Sequence, residues 1–230
     1  MRNKVIRHAE SIKLKYDGKV LKFLSESGIK EAIEYGKKLV DEAVLADRSI
    51  ITPIITSPQI RAIETGYWIS YGFGREKLKD WEKDGGRRNE DKRIDVANFL
   101  SGYSPHQVGC QKAYQHLIEH TPEEVYTISQ RFASFVVSKL DSSGVLAVSH
   151  DIPMSVFLYA LGINEINSAM SANLQGFSFG IDSIVDIKHP IISVDGQVDE
   201  HGKKYLVEMD YLEYLIQNKA NCRLQARRLD

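Results

Sequence analysis

Three short apolar runs constrain this chain more than any other feature: Lys4-Val5-Ile6, Pro53-Ile54-Ile55 and Val145-Leu146-Ala147-Val148. A strand with one wet face alternates apolar and polar residues. Unbroken apolar runs belong to strands covered on both faces. Helical patterns lie between them. Ile29, Ala32, Ile33, Gly36, Leu39, Val40, Ala43 and Val44 recur at helical spacing, with Ser25 placed as N-cap and Leu24 and Ile29 as a hydrophobic staple. Ser57-Pro58 opens a second helix running through Ile60, Ile63, Tyr67 and Tyr71. Thr121-Pro122-Glu123-Glu124 has capping-box spacing and opens a third, with Val125, Ile128, Phe132, Phe135, Val136 and Leu140 as its apolar face. A fourth, from about Ile152 to Leu161, is apolar nearly all round and stops at Gly162. Gly176 to Met209 reads as strand-rich, with turns at Asp195-Gly196 and His201-Gly202, and a final helix follows from Tyr211 to Asn218. The order implies a three-layer α/β/α sandwich around a mostly parallel sheet, one domain over residues 1–230.

Composition narrows the function classes. Thirty Lys and Arg against 31 Asp and Glu leave a formal net charge of -1, without the basic excess of a nucleic-acid binder. No apolar run approaches the roughly 18 residues of a membrane helix. Cys110 and Cys222 are far apart and lack zinc-like spacing. The expectation is a soluble, cytoplasmic protein with no nucleic-acid or membrane partner and no metal or other cofactor.

In open α/β sheets, ligands bind beyond the carboxyl ends of the strands. The first run is followed by Arg7-His8, the second by Thr56-Ser57 with Arg61 one turn on, and the third by Ser149-His150-Asp151. Taken singly, each has an ordinary explanation. A histidine after a strand usually bonds within its loop, Arg61 could form a surface ion pair, and Asp151 could cap the fourth helix. Together they put two histidines and two arginines at three strand ends that the fold would bring together. Two of these segments also open helices, whose free N–H groups favour an anion. Arginine forks suit phosphate oxygens. The set defines a pocket for a phosphoryl or carboxylate group.

These segments resemble the signatures of the histidine phosphatase superfamily, the phosphoglycerate-mutase-like proteins. Arg7-His8-Ala9-Glu10-Ser11 is similar to the Arg-His-Gly-Glu-Ser opening. Thr56-Ser57-Pro58-Gln59-Ile60-Arg61-Ala62-Ile63-Glu64-Thr65 is similar to Ser-Pro-x-x-Arg-Ala-x-x-Thr, and Val148-Ser149-His150 to the third signature. All three stand in family order, and the resemblance covers roughly residues 4 to 182. It implies that His8 is the nucleophile that forms a phosphohistidine. Arg7, Arg61 and His150 would hold the equatorial oxygens, with Ser11 and Asp151 also counted among the substrate-binding residues. Ala9 departs from the family glycine, and its methyl group is tolerated if φ is negative there. Ile12-Lys13-Leu14 stand where mutases carry Trp-Asn, which favours a phosphatase.

The proton for the leaving group needs a carboxylic acid. In the small mutase-like branch it is a Glu after the second signature, for which Leu78-Lys79-Asp80 and Glu82 are the nearest matches. In the phytase-like branch it is the Asp of a His-Asp pair, which His150-Asp151 reproduces. The segment Arg75 to Arg93, where 14 of 19 residues are charged, reads either as a solvated loop or helix face or as part of a variable cap over roughly 72–120. The expected activity is a metal-independent phosphomonoesterase acting on a small phosphorylated metabolite or a phosphoprotein. The alternatives are a phosphomutase and a catalytically weak member that binds a phosphorylated ligand or a protein partner.

Overall fold

The computed structural model describes residues 3–45, 54–84, 94–96, 116–117, 119–142, 144–163, 172–184, 187–194, 203–217 and 227–229; at 41–45, 75–84, 94–96, 182–184, 187–189, 203–204 and 227–229 it describes the backbone only. The elements in chain order are β1 (Asn3–Arg7), β2 (Ser11–Tyr16), β3 (Lys19–Leu24), α1 (Glu26–Leu45), β4 (Ile54–Thr56), α2 (Ile60–Asp84) and β5 (Ile94–Val96). There follow α3 (Pro122–Lys139), β6 (Leu146–Ser149), α4 (Asp151–Ala160), β7 (Gly176–Ile184), β8 (Ile187–Val194), β9 (Lys203–Leu206), α5 (Met209–Gln217) and β10 (Arg227–Leu229). Eight strands form one sheet in the order β10-β9-β8-β7-β1-β6-β4-β5. The pairs β1–β6, β6–β4 and β4–β5 are parallel, and this central part carries the motifs. From β7 to β10 the sheet continues antiparallel.

The unbroken apolar strands are apolar because both faces are covered. Val5 and Ala147 point into one core cluster with Phe132, Phe157 and Phe177, on the side of α3, α4 and α5. Their neighbours Ile6, Leu146 and Val148 point the other way, into a second cluster with residues of α1 and α2. The result is the three-layer sandwich. Phe132 and Phe157 stack with centroids 5.5 Å apart, and truncating either fully buried ring to alanine costs about 3–5 kcal/mol.

The helix signals mostly hold. Ser25 caps α1 through its Oγ, which accepts the Gly28 N–H at 2.9 Å. α4 ends in a Schellman arrangement, with the Ile163 N–H donating to Leu158 O (3.0 Å), the Gly162 N–H to Tyr159 O (2.9 Å), and Gly162 at φ 77°. The capping box at α3 does not form. Thr121 is the N-cap without a side-chain cap bond, and Thr121 Oγ1 and Glu124 Oε2 are buried without a hydrogen-bond partner among the described residues. α2 begins at Ile60 rather than Pro58, and it runs far beyond Tyr71. The charged stretch from Arg75 to Asp84 is therefore helix, while residues 85–93 lie outside the described residues. Within the expected cap range, Gly72–Asp84 belongs to α2 and Ile94–Val96 to the main sheet.

One element has no counterpart in the expectations. Between His8 and α1 the chain folds into a β-hairpin, β2–β3, apart from the main sheet. Asp17 (φ 48°) and Gly18 (φ 71°) form its two-residue turn, and two positive φ values in succession are the mark of a type I′ hairpin. Its signal was present as Asp17-Gly18 flanked by the alternation Ile12, Leu14, Tyr16.

Candidate active site

Strand register builds the site. Arg7 at the end of β1 lies opposite Ser149 of β6, and Thr56 of β4 lies opposite Val148. The ladder continues one bond past the strand ends: the His8 N–H donates to Ser149 O (3.1 Å) and the Ser57 N–H to Val148 O (2.9 Å). These bonds fix three loops side by side. His8 and His150 are both buried, with ring centroids 5.1 Å apart.

Arginine can only donate, and this assigns both imidazole tautomers. Arg61 Nε–H donates to His8 Nε2 at 2.8 Å, so Nε2 carries a lone pair. His8 Nδ1–H then donates to Ala9 O at 2.6 Å, which fixes the ring. Arg61 Nη2 donates to His150 Nδ1 at 3.3 Å, leaving the proton on His150 Nε2, which donates to Ser57 Oγ at 2.7 Å. Burial is the main reason that His8 is pushed from 6.5 down to about 3; its bond to Ala9 O opposes the shift, and the charges of Arg61, Arg7 and Lys22 add to it. His150 is pushed down to about 2, chiefly by burial and then by His8, Arg61, Arg7 and Lys22. Both rings are neutral at pH 7. A neutral imidazole whose Nε2 carries a lone pair instead of a proton is the nucleophilic form.

The support around His8 is equally specific. The Ala9 N–H donates to Thr65 Oγ1 (3.0 Å), whose hydroxyl donates in turn to Arg61 O (2.6 Å). One threonine thus ties the His8 loop to the helix that carries Arg61. Ala9 is fully buried and is not among the positive-φ residues, so its methyl group is accommodated in the second core cluster.

Arg7 Nε is buried with no acceptor among the described residues. A guanidinium N–H left unpaired in a pocket is costly unless a ligand completes it. The guanidinium also lies 3.8 Å from Asp151 Oδ2. Asp151 is not the cap of α4, since His150 occupies that position. Asp151 stands in the first turn, and its Oδ1 accepts the Ile152 N–H at 3.0 Å. Ser11 opens β2, half-buried, next to this loop.

The sequence candidates thus divide. Arg7, His8, Arg61, His150 and Asp151 come together, while Asp80 and Glu82 are placed by their backbone alone. These two lie in the last turns of α2, roughly 28 and 31 Å along the helix axis from Arg61 at about 1.5 Å rise per residue, and their side chains lie outside the described residues. The motif signal also undervalued Ser57 and Thr65, which stand in the second signature but act on His150 and Ala9, and Lys22, whose charge reaches both histidines. No group of three or more His, Cys, Asp and Glu that could hold a metal occurs among the described residues. No described helix is long and apolar enough to cross a membrane.

A buried histidine pair, a bridging arginine and a buried Arg7 Nε with no acceptor among the described residues thus converge at the strand ends of an α/β/α sandwich, a donor set chemically suited to an anion. Neither a protein-family model nor a curated protein sequence matches the chain. Among solved structures it is similar to a mycobacterial glucosyl-3-phosphoglycerate phosphatase in complex with VO3, at a TM-score of 0.53 and 13% identity over 85% of this chain and 98% of that one. It is also similar to the phosphoserine phosphatase of Entamoeba histolytica in complex with 3-phosphoglyceric acid, at a TM-score of 0.50 and 15% identity over 84% of this chain and 96% of that one. The fold is that of the histidine phosphatase superfamily.

Proposed function

We propose that the chain is a phosphomonoesterase working through a phosphohistidine at His8. The observation that carries this reading is the orientation of the His8 ring, with Nδ1–H held by Ala9 O and the Nε2 lone pair facing the guanidinium of Arg61. A phosphoryl group entering the pocket takes the Arg61 N–H groups for its own oxygens and frees Nε2 for in-line attack. Arg7 Nε gains the acceptor it lacks, and His150 completes the ring of donors around the equatorial oxygens. Cationic side chains supply the charge stabilisation.

The leaving alkoxide takes a proton from the carboxylic acid form of Asp151, which lies beside Arg7 and is left as the carboxylate. Water, deprotonated by the same carboxylate, then attacks phosphorus and releases inorganic phosphate with His8 restored. The phosphatases named above support the class, and the absent Trp-Asn at Ile12-Lys13-Leu14 supports hydrolysis over mutase transfer.

The test is phosphate release from a panel of phosphomonoesters with chelator present, together with rapid acid quenching. Chelator-insensitive turnover and an acid-labile, base-stable phosphoenzyme are expected. Turnover that requires a bisphosphate primer and releases no phosphate would overturn the hydrolase reading in favour of a mutase.

A further inference from the structure

Only Ala9 and Glu10 separate His8 from the hairpin, and the chain returns at Ser25, where α1 begins. This short stretch is clamped. The Ala9 N–H is held by Thr65 Oγ1 (3.0 Å), and His8 Nδ1–H rests on Ala9 O (2.6 Å). One residue on, the Ser25 N–H donates to Glu10 O (3.1 Å) and the Ser25 hydroxyl to Glu10 Oε2 (2.6 Å). Ser25 Oγ also accepts the Gly28 N–H, so one side chain both caps α1 and grips Glu10. The Leu24 N–H donates to Glu64 Oε2 (2.7 Å), which ties the returning strand to the helix that carries Arg61.

Gly28 completes the clamp by having no side chain. It lies buried in the first turn of α1, in a helix where alanine would be the better helix former. It is not among the glycines with positive φ, so backbone freedom does not explain it. Proximity does. A β-carbon on Gly28 would overlap Glu10 O and stand 3.0 Å from both Glu10 C and Glu10 N. Glu10 N and Ala9 O belong to one planar, rigid peptide unit. The helix therefore presses on the very peptide whose carbonyl oxygen orients the His8 ring. Gly36 and Gly72 meet backbone just as closely, but at the crossing of α1 and α2, against Ile69 O and Ile33 O.

We infer that the first turn of α1 aims the His8 imidazole, with Gly28 and Ser25 as positioning residues that touch no substrate. By fixing Glu10 they hold Ala9 O on the His8 Nδ1–H, so that Nε2 keeps its lone pair and stays turned to Arg61 and to an incoming phosphoryl group. This rests on the reading of His8 as the nucleophile. The side chains of Arg7, Arg61 and His150 take no part in the grip on Glu10. Loosening it therefore slows the attack on phosphorus without weakening the binding of the anion.

The test pairs kinetics with the protonation state of one imidazole. In Gly28→Ala the new methyl group displaces Glu10, and phosphoenzyme formation and kcat should both fall about ten- to a hundredfold, the cost of a misaimed reactive group. KM and competitive inhibition by inorganic phosphate should stay within about threefold of wild type, as for an interaction realised only in the transition state. Ser25→Ala should show the same pattern more weakly, and Ser25→Thr should restore the wild-type rate. This second pair decides the matter should Gly28→Ala fail to fold. Gly36→Ala sets the same clash at the α1–α2 crossing and serves as the stability control: it should lower the melting temperature and leave kcat unchanged. Proton–nitrogen correlation spectra, with the His8 signals identified by their loss in His8→Gln, should show the proton on Nδ1 in wild type and a mixture of tautomers in Gly28→Ala. Wild-type kcat with an unchanged His8 spectrum in Gly28→Ala and Ser25→Ala overturns the inference, and so does a loss of kcat in Gly36→Ala as large as that in Gly28→Ala. A tautomer shift in Gly28→Ala, with no hydrolysis of any phosphomonoester by wild type, keeps the positioning role and sinks the phosphatase reading instead.

Discussion

The pocket at the ends of β1, β4 and β6 and the hairpin that rises from it differ in almost every physical respect. The pocket is assembled from residues far apart in sequence: His8 meets Arg61 across 53 positions, and Ser57 meets His150 across 93. It is buried, and its histidines are stripped of charge. The hairpin is closed by contacts within 14 residues, is largely exposed, with Tyr16 at 75%, and keeps four lysines against one aspartate. Chemistry at phosphorus needs fixed, desolvated donors that do not reorganise during the reaction. The molecule thus sets a buried, non-local element beside a local, largely exposed one.

The sharpest way to break this division is His8→Ala. It should lower turnover by at least about a thousandfold while unfolding stays cooperative, because the residue lies beyond the end of β1 and not among the apolar core side chains. Residual turnover within tenfold of wild type, measured as phosphate release, would show that the pocket is not where the chemistry occurs.

The second effect is on stability and comes from the two buried histidines. The unfolded chain takes up protons on both rings below pH 6.5, whereas the folded rings resist until about pH 3 for His8 and about pH 2 for His150. Their contribution is therefore complete above pH 6.5 and is lost progressively as the pH falls towards the folded values. At about 1.4 kcal/mol per pH unit per ring, the ligand-free protein should lose roughly 4 kcal/mol between pH 6.5 and 5. Urea unfolding of wild type and of a His8→Gln/His150→Gln variant should differ in this slope. Parallel profiles would show that the two rings do not titrate in this way.

Asp151→Asn ranks third. Hydrolysis of alkyl phosphates should fall about ten- to a hundredfold, while an activated aryl phosphate, whose leaving group hardly needs a proton, should lose far less. Asp80→Asn and Glu82→Gln, on the distant turns of α2, should stay near wild type on both substrates. Were Glu82→Gln to show the selective loss instead, the acid would have to reach the pocket by a rearrangement of α2.

The smallest effect belongs to the hairpin alone. Gly18→Ala meets open space but forces a β-carbon onto φ 71°, at a cost of about 1–2 kcal/mol. Aryl phosphate turnover should hardly change, because the strain is at the tip, away from the clamp at Glu10, Ser25 and Glu64.

Much of the fold was legible because its signals are local. Runs such as Val145 to Val148 can only be strands covered on both sides, and Gly162 after an apolar helix marks its end. The capping box at Thr121 was misleading for a complementary reason. Spacing supplies the groups for a cap, but whether the hydroxyl turns to its own helix depends on the packing around it. The charged run also conceals the length of α2: it continues as helix to Asp84, so Asp80 and Glu82, near the second signature in sequence, stand on its last turns.

The sequence by itself determined the covered parallel strands and the identity of Arg7, His8, Arg61 and His150 as the groups at their ends. These follow from side-chain chemistry and short-range periodicity, which need no knowledge of distant partners. Only the tertiary structure decided that His8 turns Nε2 rather than Nδ1 to Arg61, that Thr65 rather than a turn fixes its loop, that Asp151 lies beside Arg7, and that Lys13 pairs with Lys22 across a hairpin. Each of these depends on the register between segments tens of residues apart or on which way a strand's alternation points. One residue of slip would reverse every such contact while leaving the sequence pattern unchanged.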